Sequence, residues 1–97
     1  MGNKSNTERR YRNACGPQIK RLRVGLGWTQ EKLATQLQLA GLDLSRIDVA
    51  KIEGRWRSIY DYELFLFAHT LKIDPKELSP GIPTLTKTLP TLRRGFV

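Results

Sequence analysis

Apolar positions recur at helical spacing in several stretches of the chain, and capping or breaking residues bound each one. The first opens at Pro17, a residue tolerated at the start of a helix. It carries Ile19, Leu22 and Leu26 on one side, with Lys20, Arg21 and Arg23 lying among them. Gly25 and Gly27 end it before Trp28, which is read as core and whose indole N–H needs a surface position or a partner. The second stretch begins at Thr29, a helix N-cap type followed by Gln30, Glu31 and Lys32. Leu33, Ala34 and Leu37 then share a face. Gly41 breaks the period and fits a C-terminal cap, where a positive φ is cheap for glycine. Ser45 starts a third helix as its N-cap, Val49 and Ile52 form its buried side, and Gly54 caps its end. Two capped helices joined by a glycine turn predict a helix-turn-helix over residues 29–53.

Beyond a basic loop, Gly54-Arg55-Trp56-Arg57-Ser58, Asp61 starts a strongly apolar helix. Leu64, Phe65, Phe67, Ala68 and Leu71 give it a wide buried face, with Leu66 at the edge. Asp61 and Glu63 near its N-terminus complement the helix dipole. His69 lies opposite the apolar stripe and reads as a surface residue. Ile73 bridges to a short last helix that Asp74-Pro75 begins and Leu78 closes. Residues 1–15 are polar and basic, with Lys4, Arg9, Arg10 and Arg12 against Glu8, and read as a flexible arm. Such an arm can follow phosphates or enter a minor groove, or exert only a diffuse charge effect. Residues 79–97 are rich in proline and threonine and cannot remain helical for long. They read as a disordered or extended tail, although Ile82, Leu85, Leu89 and Leu92 are apolar for a free one. The expected organisation is an arm (1–15), a helical domain (16–78) and a tail (79–97).

Charge changes the picture from fold to partner. Seventeen Lys and Arg against nine Asp and Glu give the 97 residues a net charge of +8. That balance points to a polyanion, either nucleic acid or an acidic membrane. No apolar run reaches the length of a membrane span, and the amphipathic faces are too narrow to favour a membrane-lying helix. Cys15 is the only cysteine, so no intramolecular disulfide can form, and a reducing cytoplasm is the simplest setting. One His, one Cys and no clustered carboxylates leave no nucleophile–base pair, no metal set and no cofactor site, which argues against an enzyme.

Several motifs in one order resemble the phage-repressor-like (Cro/C1, or XRE) helix-turn-helix family. They are I-x-x-L-R at residues 19–23, G-W-T-Q-E-x-L-A at 27–34, S-R-x-x-x-x-K-I-E from Ser45, and L-x-I-x-x-x-x-L closing at Leu78. The segments GPQIKRLR, QLAGLDLSR and DYELFLFA look like one bacterial subgroup of it. Two departures stand out. Gly54 follows Glu53 directly where the family has one residue between them. The stretch from Leu37 to Ser45 is about five residues longer than the family's tight turn, a surplus at 38–43 expected to extend the second helix and lengthen the connection.

The resemblance implies an all-α, five-helix, lambda-repressor-like bundle and a transcriptional regulator bound to double-stranded DNA, in the nucleoid-containing cytoplasm. The helix over about 45–53 would be the recognition helix, with Arg46, Ile47, Asp48 and Lys51 facing bases. Arg46 and Lys51 can donate to guanine, Ile47 can touch a thymine methyl, and Asp48 can accept from cytosine N4. Asp48 has an equally good alternative role in stabilising the helix N-terminus or holding Arg46. Thr29, Gln30, Ser45, Arg55 and Arg57 would contact phosphates. By the same resemblance Arg23 and Glu53 form a buried structural ion pair. Family members commonly dimerise on palindromic sites, so a homodimer is open, although no coiled coil shows in the sequence. The alternative is a protein-interaction module, adaptor or antitoxin-like, suggested by the apolar tail and altered turn. RNA binding ranks third, because aromatic stacking platforms are lacking.

Overall fold

Prolines, glycines and short polar residues punctuate the chain, and the computed structural model, which describes residues 11–92, begins or ends most of its helices at them. Its elements are α1 (Gly16–Gly25), α2 (Gln30–Leu39), α3 (Arg46–Glu53), α4 (Asp61–Leu71), a 3₁₀ turn (Pro75–Leu78), α5 (Ile82–Thr88) and a last 3₁₀ turn (Leu89–Thr91). No strand occurs among the described residues, where an isolated parallel bridge joins Tyr11 to Leu92. The class is all-α, and the fifth element of the bundle is a 3₁₀ turn begun by Asp74-Pro75.

Both ends of each bundle helix are closed by chemistry the chain carries locally. Thr29 Oγ1 accepts from the Lys32 N–H at 3.0 Å. Ser45 and Asp48 cap α3 reciprocally, and the Glu63 carboxylate accepts from the Tyr60 N–H at 2.9 Å. Helix α1 differs, because Cys15 offers no side-chain cap. Asn13 supplies it from upstream, its Oδ1 accepting from the N–H groups of Cys15 (3.0 Å) and Gly16 (2.7 Å). At the C-termini the same Schellman pattern recurs four times. Trp28 N donates to Arg23 O, Leu42 N to Leu37 O, Trp56 N to Lys51 O and Ile73 N to Ala68 O. The left-handed residues this motif needs are Gly27, Gly41, Arg55 and Lys72. Gly54 itself stays right-handed at φ −80°, so displacing the glycine by one position leaves Arg55 at φ +69°. A residue with a Cβ is held there at roughly 1–2 kcal/mol.

The core is built from the helical faces. Ile19, Leu33, Leu37, Val49, Ile52, Phe67, Leu71 and Leu78 are all buried, each large side chain contributing about 1.5–3 kcal/mol. Helix α2 packs on α3 and α4, and α1 packs on both α3 and α4. Leu44, from the lengthened connection, is also buried, and Gln38 Nε2 pins that connection by donating to Leu44 O at 2.8 Å. Helix α2 therefore ends at Leu39, and the remaining extra residues form a Schellman turn and a core-directed segment.

Five expectations are revised. Phe65 is 57% exposed and Leu26 49% exposed, because the i, i+3, i+4, i+7 stripe of α4 runs through Leu64, Phe67, Ala68 and Leu71, and α1 stops at Gly25. Trp28 is half-buried against the core, with the Lys32 ammonium 5.7 Å over its ring. Residues 11–15, placed at sequence level in a flexible arm, are fastened to the domain: Tyr11 N donates to Thr91 O, Arg12 N to Arg55 O, and Asn13 is only 7% exposed. The tail likewise contains α5, since Pro83 sits in a first helical turn that needs no proline N–H, and the next proline is Pro90. The remaining arm residues, with Lys4, Glu8, Arg9 and Arg10, lie outside the described residues, as do 93–97.

Gly16 marks a close approach of α1 to the end of α3. A Cβ there would collide with the backbone carbonyl oxygens of Ile52 and Glu53. Gly16→Ala is predicted to destabilise the domain by about 1–3 kcal/mol, as overpacking against rigid backbone does. Urea titration of the two proteins checks this, and equal midpoints would refute it.

Candidate nucleic-acid interface

Helix α3 has eight residues, which at ~1.5 Å of rise each makes a rod of about 12 Å. Val49, Ile52 and Glu53 are buried behind it. Arg46, Ile47 and Lys51 are exposed in front, with Ile47 55% accessible despite being apolar. Ala50 stands half-buried between them, four residues after Arg46 and one before Lys51. It is not among the outward residues expected from the sequence, yet its helical spacing from Arg46 places it on the same face.

The remaining anticipated contact residues divide by what already occupies them. Asp48 Oδ2 accepts from the Ser45 N–H at 2.9 Å and from its hydroxyl at 3.0 Å, while Ser45 Oγ accepts from Asp48 N. The Ser45 N–H, foremost, holds the Asp48 carboxyl below its ordinary range. Of its two anticipated roles, Asp48 performs the capping one. Thr29 is exposed at the start of α2, its hydroxyl engaged in capping. Gln30 Nε2 donates to Glu53 Oε1 at 3.0 Å, tying the start of α2 to the end of α3.

The two loop arginines have different surroundings. Arg57 forks onto Glu63, with Nη1–Oε1 at 3.0 Å and Nη2–Oε2 at 2.9 Å, and Nη1 also donates to Ser58 O. This fork fixes the loop before α4, and the Glu63 hydrogen bonds raise the guanidinium's pKa; Arg57 was also anticipated as a phosphate contact. Arg55 lies over the Tyr11 ring, 3.9 Å from its centroid, and its Nε donates to Asn13 O at 3.3 Å. The Tyr11 and Trp56 rings meet at 5.3 Å.

Behind the face, Arg23 and Glu53 form a bidentate pair, with Nε–Oε2 at 2.7 Å and Nη2–Oε1 at 3.0 Å. Arg23 Nη1 donates to Trp28 O at 2.6 Å. The residues are 8% and 6% exposed, so this arginine faces the core of the assembly of helices and no partner. Burial raises the Cys15 thiol above its ordinary pKa, which disfavours the nucleophilic thiolate. His69 is exposed, and no group of three His, Cys, Asp or Glu placed to hold a metal occurs among the described residues. No helix among them is long and apolar enough to cross a membrane.

Comparison with known proteins finds likeness among solved structures. The restriction-modification controller protein C.AhdI from Aeromonas hydrophila is 32% identical, with a TM-score of 0.58 covering 67% of this chain and 91% of that one. The hypothetical transcription factor NHTF from Neisseria is 27% identical, with a TM-score of 0.62 covering 79% of this chain and 83% of that one. No family model matches the chain. No curated protein matches it either.

The two buried carboxylates give separable predictions. Glu53→Ala would strand the Arg23 charge, at a cost of about 3–5 kcal/mol. A melting temperature equal to the parent's would show that the pair contributes nothing. Glu63 is held below its ordinary value of 4.5, chiefly by the Arg57 hydrogen bonds. A carboxylate depressed on folding stabilises above its unfolded pKa and loses that contribution as pH falls through the folded one. The stability gap between the parent and Glu63→Gln should therefore be full at neutral pH and shrink as pH drops below 4.5. Denaturation midpoints measured across that range decide it, and a pH-independent gap would contradict the assignment.

Proposed function

This chain belongs to the phage-repressor-like helix-turn-helix family, and from that membership we propose that it is a transcriptional regulator that binds a specific sequence of double-stranded DNA. The observation that carries the reading is the two-sided construction of α3. Its rear is locked by Val49, Ile52 and the Glu53 ion pair, while Arg46, Ile47, Ala50 and Lys51 face outward. A rigid rod of this size enters the major groove, where base edges present distinct donors and acceptors. Arg46 and Lys51 supply donors for guanine O6 and N7, and Ile47 and Ala50 offer apolar contact to a thymine methyl. The small Ala50 side chain lets the helix backbone approach the bases.

The N-terminus of α2, at Thr29 and Gln30, suits a phosphate through N–H groups that no helical carbonyl takes up, whereas at Ser45 the N–H and hydroxyl are already engaged by Asp48. Arg55, in the loop past the end of α3, adds a cation, and Arg57 holds that loop. Two copies on a two-fold site would set their α3 helices about 34 Å apart, one turn of duplex, and would call for a palindromic operator. One solved relative is described as a controller protein and the other as a hypothetical transcription factor. A regulator bound to DNA works in the cytoplasm, consistent with a lone protonated thiol.

Selection of duplexes from a random library, followed by titration in salt, tests the proposal. About six phosphate contacts at ~0.9 each give log K a slope near −5 against log[salt]. Arg46→Ala should cost about 1–3 kcal/mol on the preferred duplex and relax the preference at one base position. Equal affinity of the parent for every duplex would overturn the sequence-specific reading.

A further inference from the structure

Helix α5 has no buried residue, so it is not seated on the core. Between it and the start of α1 lies a cleft of about 330 Å³, within the size range of small-molecule sites. Pro17, Gln18, Arg55, Pro80, Thr84 and Thr88 line it. Several of its polar groups are already engaged. Gln18 Nε2 donates to Glu77 O at 3.1 Å, and Gln18 Oε1 accepts from Arg21 Nε at 3.0 Å. The Thr88 hydroxyl donates to the Thr84 and Leu85 carbonyls, at 3.1 Å each. The Arg55 Nη groups and the Thr84 hydroxyl have no hydrogen-bond acceptor among the described residues. Arg55 is nonetheless held in place, since its Nε donates to Asn13 O and its guanidinium lies over the Tyr11 ring.

The groups left over are donors, and no acidic side chain stands among the described lining residues. An acceptor-only anion therefore complements the cleft. The planar fork of a guanidinium matches the two oxygens of a carboxylate, while Pro17 and Pro80 offer walls to an apolar body. Arg55 is the one cation of that lining, which suits a single negative charge better than a phosphate dianion. We propose that the cleft is a ligand site for a small carboxylate with an apolar body, held by Arg55 and Thr84, and that its occupation weakens DNA binding by taking the Arg55 donors from a phosphate. The site stands on the cleft alone, whereas its effect on DNA rests on the DNA-binding reading above.

Titrating the full chain with sodium benzoate, and following backbone amide resonances at matched ionic strength, tests the site without DNA. Benzoate should shift the amides of Gln18, Arg55 and Thr84, with a Kd on the order of 1 mM for so few atoms. Benzamide, which keeps the shape without the charge, and inorganic phosphate, which keeps charge without the body, should each bind about tenfold more weakly or worse. Arg55→Gln should remove the preference for benzoate over benzamide. Thr84→Phe, which fills the cleft from an exposed helical position, should abolish benzoate binding and leave duplex affinity unchanged. Benzoate that leaves the three amides unmoved at about ten times that Kd overturns the site, as does equal binding of benzamide or phosphate. On the selected duplex, saturating benzoate should make the salt slope of the parent shallower by about 0.9, one phosphate contact, and leave that of Arg55→Gln unaltered. Bound benzoate with an unchanged slope overturns the effect on DNA. A parent that binds no duplex overturns the DNA reading and that effect together, while the amide shifts still decide the site.

Discussion

The buried pair of Arg23 and Glu53 is the constraint on which the other contacts depend. A guanidinium removed from water must have its donors met, and here Glu53 takes two of them and the Trp28 carbonyl a third. The carboxylate, in turn, accepts from Gln30. One charge pair thus ties together the end of α1, the turn after it, the start of α2 and the last residue of α3. Whether such a pair adds net stability against an apolar replacement is a separate matter, since desolvation offsets much of the attraction. Its geometry is demanding, however, and an apolar contact would leave the rotation of α3 about its axis less defined. That rotation decides which side chains face outward.

Around this constraint, the helix ends do the local positioning. Ser45 and Asp48 close the start of α3, and a Schellman turn closes its end. The Asn13 cap joins the first helix to the same region, because its oxygen holds the start of α1 while its nitrogen holds the distant end of α3. Gly16 permits the close approach of backbone that makes this possible. Arg57 and Glu63 repeat the scheme one element later, fixing the entry to α4 with a second charge pair. Much of the polar chemistry near α3 is therefore consumed in holding it still. The groups left outward are few, which is what a reading surface requires: a rigid frame with little conformational entropy to lose on binding.

The positive charge of the chain accordingly has several separate uses. Arg23 and Arg57 are structural, Arg46 and Lys51 face outward from α3, and Arg55 stacks on an aromatic ring at the junction of three segments. Net charge alone could not have sorted them. An arginine's role is set by whether a carboxylate lies within reach in space, and the partners of Arg23 and Glu63 come from other elements of the fold.

What the sequence determined by itself was everything governed by near neighbours along the chain. The positions of α1 to α4, the caps at Thr29 and Ser45, the glycine turn at Gly41, and the core residues Ile19, Leu33, Val49 and Phe67 all follow from periodicity and local hydrogen bonding. The roles of Asn13, Arg55, Arg57 and Leu44 were decided only in three dimensions. Asn13 looked like part of a polar arm because its partners are 39 and 44 residues away. Arg57 looked free because its carboxylate partner sits across a loop, at the start of α4, where it was legible only as a dipole complement. Leu44 is buried because the lengthened connection turns inward, which no helical period could register. Phe65 shows the converse, an apolar residue left outside because the helix has one face towards the core. In the stretch 29–53, the ends of the helices were written locally, while the side that α3 presents was set by a charge pair reaching back to Arg23.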